Sequence, residues 1–238
     1  MENREIERNP KVPVLSEKLV KLLTKLCFRC DSTIELVDLI FVFGSSSSLK
    51  TLGKLTKDLL DQNISRKVFI SGDGSLYKGF GRFLSRPESF YVIKEINPKD
   101  YPVVEFYSED KSNNTLENVT EALKILDLSN FKSILFIAKS HASQRCYLTL
   151  RRFAPNTKLL QKTFDRLYPG TNTELSHDTW HTFEYGRSRV WGEFLRIKKY
   201  GERGDIYYNN DISELVKHIE LELAETSIGG FLLNSALN

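Results

Sequence analysis

The chain has 238 residues, with 34 Lys and Arg against 31 Asp and Glu, and carries a formal charge of +3. Its 40% hydrophobic and 27% charged residues exclude the low-hydropathy, high-charge regime of disorder, and the length suits one domain. No apolar run reaches the roughly 18 residues that span a bilayer, and no Lys/Arg block marks a nucleic-acid surface.

In chain order, the apolar spacing of Leu15, Leu19, Leu22, Leu23 and Leu26 predicts a first helix over about residues 15–30. The run 39–43 reads as a strand that stops at Gly44, and Ser45 to Ser48 lead into a helix with Leu52, Leu55 and Leu59 on its apolar face. A second strand, Lys67-Val68-Phe69-Ile70, ends in Ser71-Gly72-Asp73-Gly74, and the next helix starts near Pro87. A third strand at Val103-Val104-Glu105-Phe106 precedes a helix carrying Leu116, Val119, Leu123 and Leu126. A fourth at 134–138 runs into Ser140-His141 and a helix to about Arg152, and 157–160 makes a fifth. The last third predicts a long helix over 179–200 and a final one over about 211–225.

Strands alternating with helices point to a parallel sheet covered on both faces. The fold expected is therefore α/β: a Rossmann-like three-layer sandwich, with a mainly parallel central sheet of about five strands and extra C-terminal helices. No repeat or long linker divides the chain. A single domain is expected, with an N-terminal helix in 1–34, the α/β core in 35–160 and a helical extension in 161–238.

Cysteine chemistry is sparse. Cys27 and Cys30 have CxxC spacing but continue the first helix's apolar stripe, so they read as buried helix residues; with Cys146 they leave an odd thiol and no disulfide framework. His177 and His181 lack the acids of an H-E-x-x-H zinc helix, so no metal site is expected.

Open parallel sheets bind ligands beyond the carboxyl ends of their strands, and four polar clusters fall at those ends. The turn Gly44-Ser45-Ser46-Ser47-Ser48 offers hydroxyls and backbone N–H groups at a helix N-terminus, which suits an anion, or it caps its own helix. Ser71, Gly72 and Asp73 form a second turn in which Asp73 either binds a ligand hydroxyl or stabilises the turn. In the third cluster Asn114 or Thr115 fits an N-cap, with Glu117 or Asn118 reaching back. Ser85-x-x-Glu88 beside Pro87 reads as another capping box. In the fourth, His141 and Arg145 share a helix face. A histidine in the first helical turn stays neutral and can accept a proton, while Arg145 supplies a permanent charge, for a substrate or for a salt bridge.

These residues resemble the YdcF/SanA/ElyC family of bacterial proteins. The likeness rests on 38–44, on Ile70-Ser71-Gly72, and on Glu109 with Ser112, Asn114, Thr115, Glu117 and Asn118. Lys139-Ser140-His141 with Arg145, and Trp191-x-Glu193-x-x-Arg196, complete it over roughly residues 35–210. SanA and ElyC carry membrane segments; this chain has none in its sequence and starts with acids where a signal peptide has bases. A cytoplasmic, soluble YdcF-like protein is thus the expectation.

The resemblance implies a pocket for a small-molecule ligand, anionic or nucleotide-like, with S-adenosylmethionine as the named candidate. It implies that His141, Arg145 and Glu117 are catalytic. Gly44, Ser45, Ser46, Ser71, Gly72, Asp73, Glu109, Asn114, Thr115, Asn118 and Ser140 are then ligand-binding. The alternatives are a noncatalytic nucleotide or S-adenosylmethionine sensor, and an envelope-metabolism factor acting on lipid-linked phosphate. The reaction is not specified by any of these residues.

Overall fold

The computed structural model describes residues 5–73, 85–168 and 171–235, with side chains up to residue 226. The chain packs as two compact units, one of Cys30–Lys139 and Cys146–Phe164, the other of Met1–Arg29, Ser140–Arg145 and Asp165–Asn238.

The larger strands belong to the first of these units. β1 (Leu39–Val42), β2 (Lys67–Ile70), β3 (Glu105–Ser108), β4 (Ser133–Lys139) and β5 (Lys158–Phe164) form one sheet in the order β3-β2-β1-β4-β5. All four pairings are parallel. This is the strand order of a Rossmann-like doubly wound sheet, whose order reverses between β1 and β4.

Period-two alternation builds the two faces. Ile40, Val42, Val68, Ile70, Leu135 and Ile137 pack on Leu52, Leu59 and Leu60 of α2 (Leu49–Asp61) and on Val92 and Ile96 of α3 (Glu88–Ile96). Leu39, Phe41, Phe69, Ile134 and Phe136 pack on Val119 and Ala122 of α4 (Thr115–Ala122) and on Cys146 and Leu150 of α5 (Ser143–Phe153). Phe41 sits in register with Phe69 on one side and Phe136 on the other. Its ring stacks on Phe69 at 5.1 Å between centroids. The fold is the expected α/β sandwich, with the sheet wholly rather than mainly parallel.

The second unit is mostly helical. It holds α1 (Glu17–Cys27), a short hairpin of β6 (Arg166–Leu167) and β7 (Glu174–Leu175), α6 (Glu184–Arg203) and α7 (Asn210–Ser235). Trp180 is fully buried and its indole N–H donates to Thr24 Oγ1 at 2.8 Å. The segment before α1 is held along α6: Ser188 Oγ donates to the Pro10 carbonyl at 2.9 Å, and Arg196 donates to that of Glu7 at 2.8 Å.

Several local expectations change. The first helix stops at Cys27, and Cys30 is exposed beyond its end, so the two cysteines do not share a stripe. β3 starts at Glu105, two residues later than the expected Val103, because its pairing with β2 sets Lys67 opposite Glu105. The long helix begins at Glu184, after a separate 3-10 turn at Trp180–Thr182. Among the described residues no helix is long and apolar enough to cross a membrane. Among the same described residues no group of three or more His, Cys, Asp and Glu side chains gathers to hold a metal.

Candidate functional site

The carboxyl ends of β1 and β2 meet through Ser71. Its hydroxyl donates to the Val42 carbonyl at 3.0 Å and accepts the Gly44 N–H at 3.2 Å. Directly beyond, Gly72 has φ +123°, which only glycine adopts without strain. Its N–H donates to Glu109 Oε1 at 2.7 Å. Glu109 also accepts from the N–H groups of Lys111 and Ser112, at 2.8 and 2.9 Å, and from the Ser112 hydroxyl. Asn118 in turn donates to Ser112 Oγ at 2.5 Å. Ser71, Glu109, Ser112 and Asn118 are all buried. Glu109, Ser112 and Asn118 are committed to one another and clamp the β2 turn to the start of α4, while Ser71 ties the ends of β1 and β2 together.

The neighbouring cap is similarly self-contained. Asn114 Oδ1 accepts the Glu117 N–H at 2.9 Å, while the Glu117 carboxylate accepts from Asn113 N–H at 2.7 Å and from Asn114 Nδ2 at 2.6 Å. Thr115 opens the helix. The expected capping arrangement is present here, with Asn114 as N-cap, although Glu117 reaches the amide before the cap rather than the cap's own.

At α2 and α3 the capping readings fail. Ser48, the N-cap of α2, makes no side-chain cap bond, so the serine turn does not cap its own helix. Ser85 bonds Tyr91 Oη at 2.9 Å instead of a helix amide, and the N-cap of α3 is Pro87. Glu88 does not reach back to a cap. It lies 4% exposed against the two glycine turns. A Cβ built on Gly44 would stand 2.7 Å from Glu88 Oε2, and one on Gly72 would stand 2.6 Å from the same oxygen.

The backbone around Glu88 is fixed too, since its N–H donates to the Asp73 carbonyl at 3.0 Å and that of Ser89 to Gly72 at 3.0 Å. Burial pushes the Glu88 carboxyl up; the positive charge of Lys139 and donation by the Ser46 hydroxyl and N–H oppose this, Asp73 adds to it, and the group settles at about 7. Ser45, next in the same turn, is 5% exposed, and its hydroxyl has no hydrogen-bond partner among the described residues. Gly74 of the second turn lies outside the described residues.

Sequence reasoning read Glu88 as a capping residue and left it out of the candidate site. Its signal was present in the spacing: Glu88, Val92 and Ile96 fall at i, i+4 and i+8, and all three are buried on α3. A carboxylate on an apolar stripe must be neutralised or hydrogen-bonded where it lands.

The remaining expected residues belong to the helical unit. His141 lies in a 3-10 turn, Ser140–Ala142, ahead of α5 rather than in its first turn, and its ring is fully buried. Ser140 Oγ donates to Asp165 Oδ1 at 2.5 Å. Arg145 forms a two-pronged pair with Glu193, Nε to Oε2 at 2.6 Å and the second nitrogen to Oε1 at 3.2 Å. Arg196 stands 3.5 Å from the same carboxylate. Burial works to raise the Glu193 carboxyl, but Arg145 and Arg196 outweigh it and hold the group at about 2. Cys27 is buried nearby and its thiol is pushed well above its ordinary range, chiefly by burial. His177 is exposed, its ring bonded to Asp178 at 2.6 Å.

No family model matches this sequence, and no curated protein does. Among solved structures it is similar to the crystal structure of E. coli tRNA N6-threonylcarbamoyladenosine dehydratase, TcdA, in complex with AMP. That likeness has a TM-score of 0.35 and 10% identity, over 77% of this chain and 68% of that one.

Proposed function

We propose that this chain binds a small anionic or nucleotide-like ligand at the carboxyl ends of β1 and β2, in the turn that opens α2. One observation carries this: the Ser45 hydroxyl is buried without a partner at the start of a 13-residue helix whose N-cap side chain makes no bond. Buried polar atoms are nearly always satisfied, and helix N-termini present N–H groups and positive potential to anions. The β1–β4 order reversal is where doubly wound sheets open a crevice, and β1 leads directly into this turn.

The sequence resemblance to the YdcF/SanA/ElyC family supports the same location and adds S-adenosylmethionine as a specific candidate. Binding is proposed without a chemical role for His141, whose ring is fully buried, or for Arg145, whose guanidinium is paired with Glu193. Ser71, Glu109 and Asn118 serve the ligand indirectly, by holding the two turns.

Calorimetry against AMP, ADP, ATP, S-adenosylmethionine and inorganic phosphate tests this. Saturable binding of at least one is expected, weakened about tenfold by Ser45→Ala, the scale of one ordinary hydrogen bond. Absence of binding across the panel, or unchanged affinity in Ser45→Ala, overturns it.

A further inference from the structure

Among the described residues, Glu88 stands outside the frame of hydrogen bonds that joins Gly72, Glu109, Ser112 and Asn118. Its carboxyl lies where two separate turns come close enough to exclude any side chain at Gly44 and Gly72. Gly44, against which the carboxyl oxygen lies, directly precedes Ser45, the residue whose hydroxyl is unpartnered, and Ser46 beyond it pulls the acid's titration down. The carboxyl is therefore part of the same turn that is proposed to hold the ligand.

We infer that Glu88 meets the ligand as a neutral acid, donating its carboxyl proton to an oxyanion at the Ser45–Ser46 turn, so that each oxyanion bound there keeps or takes up one proton. The inference rests on the binding site proposed above and deepens it by naming the ligand group, an oxyanion, and the residue that selects it. An ionised carboxylate in this position would repel an anion, whereas the protonated form offers an O–H donor.

Among the described residues, the charged groups that act on Glu88 come from two elements. Lys139 comes from the end of β4 and Asp73 from the loop after β2, and Glu109 is one hydrogen bond removed, through Gly72. Lys139 favours both the anion and the ionised acid, while Asp73 disfavours both. Burial is the largest influence on the acid and favours its neutral form, which is consistent with a group able to change its proton near neutrality. A sulfonium cation such as that of S-adenosylmethionine would show the opposite pH dependence, since it is attracted by the carboxylate.

Sulfate is the direct probe, because its charge is constant across neutral pH. Its dissociation constant for the whole chain, measured by calorimetry between pH 5.5 and 8.5, is expected to level off at low pH and to rise about tenfold per pH unit above about 7, the slope of one required proton. Glu88→Gln, which keeps the shape and a donor, should bind sulfate with a flat profile. A carboxyl carbon resonance of the free protein, assigned by its loss in Glu88→Gln, should titrate near 7.

A flat wild-type profile, a slope that survives in Glu88→Gln, a carboxyl titrating in the ordinary range, or no sulfate binding at any pH overturns the inference. The carboxyl titration and the wild-type profile remain decisive if Glu88→Gln does not fold. AMP binding in competition with sulfate, with the same slope above pH 7, assigns the oxyanion to a nucleotide phosphate. Sulfate binding with that slope and no AMP binding assigns it to a free oxyanion, and either outcome supports the inference. If AMP binds but shows no slope, the inference fails while the binding site survives. Failure of sulfate and of every nucleotide alike removes both.

Discussion

Two glycines and one acid define the residue scale. Gly72 is required twice, by its φ of +123° and by the Glu88 oxygen that a Cβ would meet at 2.6 Å. Gly204 has a comparable φ of +81° at the end of α6, but a Cβ there meets nothing within 4 Å. Gly204→Ala should thus cost about 1 kcal/mol, the conformational penalty alone. Gly72→Ala should cost more, about 2–3 kcal/mol, because the conformational penalty is joined by the buried Glu88 carboxyl oxygen and by close approach to Gly44 Cα at 3.1 Å. Urea unfolding of the two variants measures the difference, and equal losses would mean that the Glu88 contact exerts no steric demand.

At the scale of elements, two helices of the sheet unit begin in opposite ways. α4 is closed by its own residues, with Asn114 accepting the Glu117 N–H and Glu117 returning two bonds. α2 begins at a serine whose side chain caps nothing. Asn114→Ala should therefore destabilise by about 1 kcal/mol, a typical N-cap loss. Ser48→Ala should stay within about 0.5 kcal/mol. Chemical denaturation of both variants tests the assignment, and a large loss in Ser48→Ala would show that the turn caps its helix after all. The same contrast explains why spacing was an uneven guide. An S-x-x-E pattern describes which groups can reach a cap, and the competition for those groups is settled elsewhere: Ser85 turns to Tyr91 and Glu88 turns inward.

Over the whole molecule, Glu88 in the sheet unit and Glu193 in the helical unit are buried carboxyls whose titrations are displaced in opposite directions. Glu88 rises from 4.5 to about 7, so the folded state keeps a proton that the unfolded chain loses. Its contribution to stability is full below pH 4.5 and falls away as pH rises towards 7, by about 3 kcal/mol in all. Glu193 is lowered from 4.5 to about 2, so the pair with Arg145 contributes above pH 4.5 and is lost as pH falls towards 2, again by about 3 kcal/mol. Unfolding free energies measured across pH 2–8 should show Glu88→Gln flattening the limb between 4.5 and 7, and Glu193→Gln flattening the acid limb. A variant that leaves its own limb intact would refute that assignment.

What the amino-acid order determined by itself was the layer plan. The runs 39–43, 67–70 and 134–138 alternate between two apolar faces, and helices with apolar stripes separate them; hydrophobic burial leaves such a pattern little choice but a covered parallel sheet. The polar clusters at the strand ends were equally visible as a set. Only the tertiary structure decided which of their members were already satisfied and which were not. Glu109 is claimed by an amide 37 residues away and Arg145 by a carboxylate 48 residues away, whereas Ser45 keeps an unpartnered hydroxyl and Glu88 sits in a fold of two glycines. Periodicity is a local property that a short window carries. Desolvation and hydrogen-bond satisfaction are sums over neighbours brought together by folding, and no spacing along the chain contains those sums.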